Sequence, residues 1–286
     1  MEELVTNETE DIEIIVGEDA STDPNFLYEN QKIKTLPHCK YVYFTENNGR
    51  AKIRNKLSDI AQGKYLLFID SDALVMSTNF LSEYIKYVPY HDVIYGGIST
   101  PVRMPDKRNR TLRLAYEKAA ENIRSLSFRK KNPYKYISAF NILIKHELFD
   151  QIKFNENCTL YGYEDALLGI ELKIRKKEIY HINNPLLHTG IDTNEEYLEK
   201  IKDSLTTLYT IGNTMQNESS ICKIQKLITK VKLNTPIDIL FTHIFKKRFE
   251  KNLLSTSPSL SILQLYKIGY YCHICQTNEK KRKNIR

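Results

Sequence analysis

The chain has 286 residues, of which 41% are hydrophobic and 27% charged, with 10 glycines and 9 prolines. This composition excludes a disordered or fibrous chain. The sequence has no run of 18 apolar residues, so no membrane-spanning helix is expected. Five scattered cysteines are too few for a disulfide scaffold and indicate a reducing compartment.

The net charge of +7 is unevenly distributed along the chain. The segment Lys223–Arg286 carries 14 lysines and arginines against three acids, whereas the residues before it carry 28 basic and 32 acidic side chains. A basic segment on a mildly acidic body indicates an anionic partner for that segment, either a lipid surface or a nucleic acid.

Strand and helix patterns alternate over the first 100 residues. Short apolar, β-branched runs predict buried strands at Ile12–Val16, Tyr41–Phe44, Lys64–Ile69 and Asp92–Gly96. Apolar residues at helical spacing predict helices at Ala51–Ala61 and Phe80–Val88. Such alternation is typical of βαβ units, so we expect an α/β fold whose mainly parallel sheet is flanked by helices.

The alternation resumes after an interruption. Residues Val102–Tyr136 contain one predicted helix, Leu112–Leu126, between basic segments that contain proline, and we interpret them as an insertion or a lid. The later predicted strands are Ile137–Ile144 and Glu178–Ile182, and the later predicted helices are His146–Gln151, one that begins near Glu164, and Glu195–Tyr209.

Carboxylates directly follow two of the predicted strands. Asp19 comes after the first strand, and Asp70 and Asp72 come after the third. Because ligands bind beyond the carboxyl ends of the strands in open α/β sheets, we expect these side chains at one edge of the sheet. Two carboxylates one residue apart suit a divalent cation that neutralises a diphosphate. A surface turn with acidic caps explains an isolated D-x-D motif at least as well.

Two further places in the sequence carry candidate chemistry. Glu164 and Asp165 begin a predicted helix, where carboxylates are either functional or simple N-terminal caps. His188 follows a predicted strand, and a neutral imidazole there is either structural or completes a carboxylate metal site.

Taken in order, these segments resemble the glycosyltransferase family 2 pattern, which has a GT-A fold. The resemblance covers roughly Ile12–Gly190 and is carried by IEIIVGEDASTD, NNGRAKIRN, GKYLLFIDSDA, YGYEDALLG and NPLLHTG. It implies an inverting, metal-dependent transferase that uses a nucleotide-diphosphate sugar, expected to be a UDP-sugar. The implied acceptor is a saccharide or a lipid-linked saccharide, and the implied process is surface polysaccharide synthesis.

The resemblance also implies roles on the donor side. Asp19 would hydrogen-bond the uracil, and Arg54 would hold the nucleotide or its phosphates. Asp70 would face the ribose and the metal shell, and Asp72 and His188 would ligate Mn²⁺ or Mg²⁺.

On the acceptor side, the resemblance implies that Asp165 is the general base and that Glu164 binds the acceptor sugar. The base would take the proton of the acceptor hydroxyl. In-line attack by that hydroxyl, opposite the leaving diphosphate, would invert the anomeric centre.

A phosphohydrolase of the haloacid dehalogenase type is a rival interpretation of FIDSDALV, with Asp70 as the nucleophile. That pattern normally has threonine or valine where this chain has Leu74. It also sits on the first strand, whereas two predicted strands precede it here.

The start of the chain differs from the family pattern. The family opens with a strand that ends in a Pro-x-Tyr-Asn-like segment, followed by a helix, before the strand equivalent to Ile12–Val16. Here only eleven residues precede Ile12, and they resemble the last turn of that helix. We therefore expect the central first strand to be missing from an N-terminally truncated chain with weak or no activity. The alternative to an enzyme is an inactive remnant that binds membranes or partners.

The sequence predicts a glycosyltransferase domain at residues 1–212 and a basic helical extension at residues 213–286. Within the extension, Phe241–Leu254 and Ser259–Cys272 mix apolar residues with lysine, arginine and tyrosine, as in helices that lie on anionic membranes. A packed extension with a solvated basic face is the alternative. No nucleic-acid partner is expected, because no binding module surrounds the charge. The expected location is cytoplasmic and peripheral, on the inner face of the cytoplasmic membrane.

Overall fold

The computed structural model describes residues 12–101, 108–215 and 217–284, which form two compact units. The first unit comprises 12–101, 121–159 and 164–190, and the second comprises 108–120, 160–163 and 191–284. The predicted boundary at residues 212 and 213 falls inside the second unit, and the division into functional domains stays a prediction. The helical turn expected within residues 1–11 lies outside the described residues.

Each of the six predicted strands has an observed counterpart. The strands are β1 Ile14–Asp19, β2 Cys39–Phe44, β3 Tyr65–Ile69, β4 Ala73–Leu74, β5 Val93–Tyr95, β6 Ile98–Ser99, β7 Asn141–Lys145, β8 Tyr180–His181 and β9 Leu186–His188. The helices up to residue 190 are α1 Pro24–Gln31, α2 Gly49–Ile60, α3 Phe80–Ile85, α4 Thr111–Ala119, α5 Glu121–Arg124, α6 Leu126–Lys131, α7 His146–Ile152 and α8 Glu164–Ile174. The later helices are α9 Asn194–Thr210, α10 Ser220–Lys230, α11 Asn234–Leu240, α12 Lys246–Leu253 and α13 Leu260–Asn284.

The α/β class is as predicted, but the strands of the described residues form three sheets, two of them of mixed direction, rather than one mainly parallel sheet. β1 and β2 pair in parallel, β3-β7-β5-β8 form a second sheet, and β4-β9-β6 form a third. β7 runs antiparallel to both β3 and β5. Asn141 at the start of β7 lies opposite Ile69 at the end of β3, so the chain re-enters the sheet at the carboxyl ends of its neighbours. Alternation of strands and helices does not reveal this reversal.

The core of the first unit is built around β5 and β7. All three residues of β5 are buried, as are the first four residues of β7, which is the pattern of strands covered on both faces. Buried side chains from these strands and from neighbouring segments pack into one hydrophobic cluster, which contains Phe80, Tyr84, Ile94, Phe140, Leu143, Ile182 and Leu186. Complete burial of such a side chain stabilises the folded state by about 1.5–3 kcal/mol.

A buried polar network holds the start of β7 in place. Tyr84 Oη donates a hydrogen bond to Asn141 Oδ1 at 2.6 Å, and Asn141 Nδ2 donates to the carbonyls of Gly97 and Asn184, each at 2.8 Å. A Cβ atom at Gly96 would lie 2.5 Å from Asn141 Nδ2, so only glycine fits there. Asn141, the first residue of β7, is thereby fixed at the carboxyl edge of the sheet.

The single helix predicted at Leu112–Leu126 is wrong, because three short helices replace it. α4 ends at Ala119, and Ser125 begins α6 as an N-cap whose side chain accepts a hydrogen bond from the Phe128 backbone N at 3.4 Å. A short hydroxyl side chain that satisfies a helical N–H favours a new helix start over continuation. The helical spacing of apolar residues in the sequence continues across this break and therefore does not reveal it.

Helices form the second unit. α9 begins with a capping box in which the Thr193 side chain and the Glu196 side chain each bond the other's backbone. α13 packs against α9, α10, α11 and α12 and buries Leu263, Tyr266, Tyr271, Cys272 and Cys275. One side of the stretch Ser259–Cys272 therefore packs within this unit, and Leu265 is exposed. Within the described part of the chain, no helix combines the length and the apolar character needed to cross a membrane.

Candidate active site

Asp19 lies at the carboxyl end of β1 and caps the N-terminus of α2. Its Oδ1 accepts hydrogen bonds from the backbone N and Nδ2 of Asn48, both at 2.8 Å, and its Oδ2 accepts one from the backbone N of Gly49 at 3.0 Å. The carboxylate thus satisfies N–H groups that no helical carbonyl reaches, and it faces the positive end of the helix. A carboxylate has room for about four donors. The uracil contact of Asp19 stays a prediction.

Arg54 on α2 is the centre of a cluster of carboxylates. Its Nη2 lies 2.6 Å from Asp70 Oδ1, and its Nη1 lies 3.2 Å from Glu164 Oε1 and 3.9 Å from Asp165 Oδ1. Burial lowers the pKa of Arg54, but the charges of Asp70, Asp165 and Glu164 outweigh this effect and hold the pKa above its ordinary value. One buried cation therefore brings together the D-x-D turn and the start of α8.

Asp165 and Glu164 differ in how far solvent reaches them. The Glu164 side chain is 4% exposed, and burial together with the charge of Asp165 raises its pKa, against the opposing effect of Arg54. The Asp165 side chain is 22% exposed. Its Oδ2 accepts a hydrogen bond from Ser138 Oγ at 2.7 Å, and its Oδ1 accepts one from the Ala139 backbone N at 3.0 Å. Of the two carboxylates, Asp165 is the one that solvent reaches more freely.

Asp72 and His188 form a pair although 116 residues separate them. Asp72 Oδ2 lies 3.2 Å from His188 Nε2. The Thr189 backbone N and Oγ1 both donate to the Asp72 carbonyl, at 2.9 and 2.7 Å. Burial would raise the pKa of Asp72, but the hydrogen bond and charge of His188, together with Arg50, lower it below its ordinary value. The antiparallel pairing of β4 with β9 brings the two residues together.

A divalent cation fits this pair only with ligands from elsewhere. Among the described residues, no group of three or more histidine, cysteine, aspartate or glutamate side chains is arranged to hold a metal ion. Asp70, expected to share in the metal shell, pairs instead with Arg54 and Arg50. Asp72 and His188 supply one oxygen and one nitrogen donor, and Mg²⁺ commonly completes such a site with water and substrate phosphates. The oxygen of Asp72 and the nitrogen of His188 therefore fit a divalent ion whose remaining ligands come from a diphosphate and water.

Three residues near the site were not predicted from the sequence. Arg50 lies one turn before Arg54 on α2, with Nη1 3.7 Å from Asp70 Oδ2, and its charge also acts on Asp72 and Glu164. The sequence did indicate Arg50 indirectly, because the four-residue spacing of the two arginines in GRAKIRN places them on the same face of a helix. Ser138 and Ala139 hold Asp165 from a segment with no motif, so no local pattern identifies them.

Curated relatives match short parts of their own length. The putative teichuronic acid biosynthesis glycosyltransferase TuaG of Bacillus subtilis (strain 168) is 44% identical over 62 residues, which cover 21% of this chain and 24% of the relative. The minor teichoic acid biosynthesis protein GgaB of the same organism is 25% identical over 179 residues, covering 61% of this chain and 19% of the relative. The chain thus spans about a quarter or less of the length of these relatives.

Two solved structures resemble the chain weakly. Mannosyltransferase PcManGT from Pyrobaculum calidifontis, in complex with GDP-Man and Mn²⁺, has a TM-score of 0.47 and 16% identity over 68% of this chain and 53% of its own. TarS 1–349 of S. aureus, in complex with UDP, has a TM-score of 0.47 and 15% identity over 93% of this chain and 82% of its own. At TM-scores below 0.5, neither likeness bears on the substrates.

The sequence model of one family covers more than half of the chain. Glycosyl transferase family 2 matches residues 1–153, a range that includes Asp19, Arg54, Asp70 and Asp72. The family resemblance first noted in the strand and D-x-D motifs is thereby confirmed, and the ED motif and His188 lie beyond the matched range. The chain belongs to glycosyl transferase family 2.

Proposed function

We propose that this chain transfers a sugar from a nucleotide-diphosphate donor to a saccharide or lipid-linked saccharide. The observation that carries the proposal is the convergence of residues far apart in the sequence. Arg54 contacts Asp70 of the D-x-D turn as well as Glu164 and Asp165 of α8, while Asp72 of the same turn contacts His188. The D-x-D turn thus connects a pair that would serve the donor with a carboxylate that would serve the acceptor, as transfer between two substrates needs.

On the donor side, Asp72 and His188 would hold Mn²⁺ or Mg²⁺ against the diphosphate. When bound, such an ion supplies Lewis-acid neutralisation of the leaving diphosphate. Arg50 adds a cation whose side chain is 42% exposed and therefore accessible to phosphate oxygens. Arg54 is 9% exposed and already paired with Asp70 and Glu164, so we assign the phosphate contact to Arg50 and the positioning of the acids to Arg54.

On the acceptor side, Asp165 would act as the general base. Ser138 and the Ala139 backbone hold its carboxylate in one orientation, which leaves oxygen lone pairs for the acceptor hydroxyl. The hydroxyl proton passes to Asp165 as the oxygen bonds to the anomeric carbon, and the bond from that carbon to the diphosphate oxygen breaks. This single displacement inverts the anomeric centre. Glu164 is buried on Arg54, which makes direct binding of the acceptor sugar a weaker proposal than the base role of Asp165.

The substrate class follows from the relatives. TuaG and GgaB carry the terms teichuronic acid and teichoic acid in their descriptions. We therefore propose an acceptor in a surface polymer of the teichoic acid or polysaccharide type, with a UDP-sugar as donor. The five free cysteines agree with a reducing compartment, so we place the reaction on the cytoplasmic side of the membrane.

The base assignment is tested with Asp165→Asn. We expect release of UDP from UDP-sugars in the presence of acceptor polymer to fall by about two to four orders of magnitude, because the acceptor loses its proton acceptor. Asp59→Asn, at an exposed aspartate on α2, is the matched control and should keep the wild-type rate. Equal rates for Asp165→Asn and the wild type would remove the assignment. No transfer by the wild type with any donor would favour the inactive remnant.

The metal assignment is tested by the thermal shift caused by UDP. We expect UDP to raise the melting temperature only when Mn²⁺ or Mg²⁺ is present, since the ion would join the diphosphate to Asp72 and His188. Asp72→Asn and His188→Gln should each abolish the metal-dependent part of the shift. A shift of the same size in the presence of a chelator would rule out the metal role.

The phosphohydrolase alternative does not survive the family assignment. Asp70, its required nucleophile, is bound at 2.6 Å by Arg54, and the D-x-D turn follows the third strand of the described chain. Model phosphate esters are therefore expected to give no phosphate release.

A further inference from the structure

Helix α10 presents an apolar surface outward. Cys222 is buried on the inward face, with its Sγ 3.4 Å from Tyr271 Oη of α13. Ile224, Leu227 and Val231 follow Cys222 at two, five and nine residues, which at about 100° per residue places them on the opposite side of the helix. Leu227 is 63% exposed and Val231 is 60% exposed.

This arrangement reverses that of an ordinary surface helix, whose outward face is polar. Leu233, in the turn after α10, is also exposed. We refer to Ile224, Leu227, Val231 and Leu233 as the α10 apolar surface. Isolated exposed leucines are common on proteins, but a continuous row on one helix face marks an interaction site.

Lysines flank the α10 apolar surface. Lys223, Lys226 and Lys230 each precede one of its members and are exposed along one side of the helix, and exposed Lys232 lies in the turn. The sequence contains no aspartate or glutamate between Glu218 and Asp238. The surface therefore combines apolar side chains with a positive charge that no acidic residue of the same segment balances.

We propose that the α10 apolar surface docks on an anionic lipid bilayer. A helix with this pattern lies in the interface plane, with its apolar face below the headgroups and its lysines among the anionic headgroups. Long lysine side chains reach the headgroups while their stems stay on apolar surface. A second copy of the chain fits less well, because a two-fold interface pairs the same patch with itself and brings the lysine rows together.

This proposal differs from the expectation drawn from the sequence. The stretch Ser259–Cys272 was predicted as a membrane-lying helix, but its residues Leu263, Tyr266, Tyr271 and Cys272 are buried within the second unit as part of α13, and of its large apolar residues Leu265 is exposed. Other exposed apolar residues of the second unit, such as Ile239, Ile244 and Leu265, lie elsewhere, whereas Ile224, Leu227 and Val231 form a row beside exposed lysines. Docking does not depend on sugar transfer and is expected to be the same in an Asp165→Asn chain.

The test is flotation of the full chain with lipid vesicles. We expect binding to vesicles of mixed phosphatidylglycerol and phosphatidylcholine, and little binding to phosphatidylcholine alone. L227S/V231S should weaken binding by about tenfold or more, because apolar burial is lost. K226Q/K230Q should weaken it roughly thirtyfold at low salt, given the usual contribution of each lysine near an anionic surface. All four side chains are exposed, so the variants should fold, which circular dichroism checks.

Two control variants isolate the surface. I85S/I174S removes two exposed apolar residues of the first unit, and K130Q/K131Q removes two exposed lysines there, and both should float like the wild type. The proposal is overturned if the wild type does not bind mixed vesicles, if L227S/V231S binds unchanged, or if the controls lose binding equally. Self-association in sedimentation that L227S/V231S abolishes, without flotation, would instead assign the surface to a second copy.

Discussion

Gly190 is the residue on which the position of Asp72 depends. A Cβ atom built on Gly190 would lie 2.7 Å from the Cβ of Asp72, closer than side-chain atoms approach in proteins. The chain needs this close approach because the preceding residues, His188 and Thr189, hold the carboxylate and the carbonyl of Asp72. The glycine of the NPLLHTG motif is therefore explained by packing on the proposed metal ligand, which spacing along the sequence did not indicate.

Gly190→Ala is expected to displace Asp72 and to lower both stability and transfer. Overpacking of this kind costs about 1–3 kcal/mol of the free energy of unfolding, and we expect transfer to fall by more than about tenfold. Denaturant unfolding and UDP release measure the two effects. In a D72G background the alanine no longer meets the Asp72 side chain, so the stability cost of Gly190→Ala should shrink. An undiminished cost would show that the strain lies elsewhere.

At the scale of elements, a buried cation joins helix α6 to strands β5 and β8. Arg129 is 2% exposed and donates hydrogen bonds to the carbonyls of Tyr95 at 3.1 Å and Ile182 at 3.0 Å. Its Nη1 also lies 3.2 Å from His181 Nδ1, which must accept, because a guanidinium only donates. His181 Nε2 then carries the proton and donates to the Pro133 carbonyl at 2.9 Å. The neutral imidazole is part of the link.

This link predicts a pH dependence of stability. Burial lowers the pKa of His181 to about 4, with an opposing effect of the Pro133 carbonyl and a further lowering by Arg129. In the unfolded chain the pKa of His181 is near the ordinary value of 6.5, so between about pH 6.5 and pH 4 the unfolded state binds a proton at His181 and the native state does not. The free energy of unfolding therefore decreases as pH falls from about 6.5 towards 4. Melting temperatures across this range should show a smaller decline for His181→Gln. An identical decline would exclude His181 as its source.

At the scale of the whole molecule, burial determines which thiols react. Four of the five free cysteines are buried, namely Cys158 in the first unit and Cys222, Cys272 and Cys275 in the second. Burial raises the pKa of Cys158 and Cys275 to about 12 and that of Cys272 to about 11. The thiolate is the nucleophile, so Cys158, Cys272 and Cys275 react slowly for two reasons: reagents cannot reach them, and their thiols stay protonated.

Thiol titration with a disulfide reagent is therefore expected to give one faster group in the native protein and five after denaturation. The faster group is Cys39, which is only partly buried. Cys39→Ser should remove the fast phase and leave the slow phase unchanged. Fast reaction of two or more thiols in the native Cys39→Ser protein would contradict the burial found in one or both units.

Much of the fold and part of the site followed from local patterns. The α/β class, the six strands and the family were predicted from apolar runs and from motifs at the strand ends, and the family match confirms the membership. These features depend on neighbours within a few residues, which a sequence displays directly. The helix break at Ser125 and the reversed direction of β7 were missed, because a cap competes with apolar spacing and strand direction depends on the path of a long connection.

The sequence by itself determined which elements form and which acids stand at their ends. Only the tertiary structure decided that Arg54 gathers Asp70, Glu164 and Asp165, that Asp72 meets His188, and that the apolar face of α10 points outward. Spacing along the sequence determines which residues share one face of a helix or strand. Contacts across more than 100 residues depend on how those elements pack, and packing is a property of the folded chain as a whole.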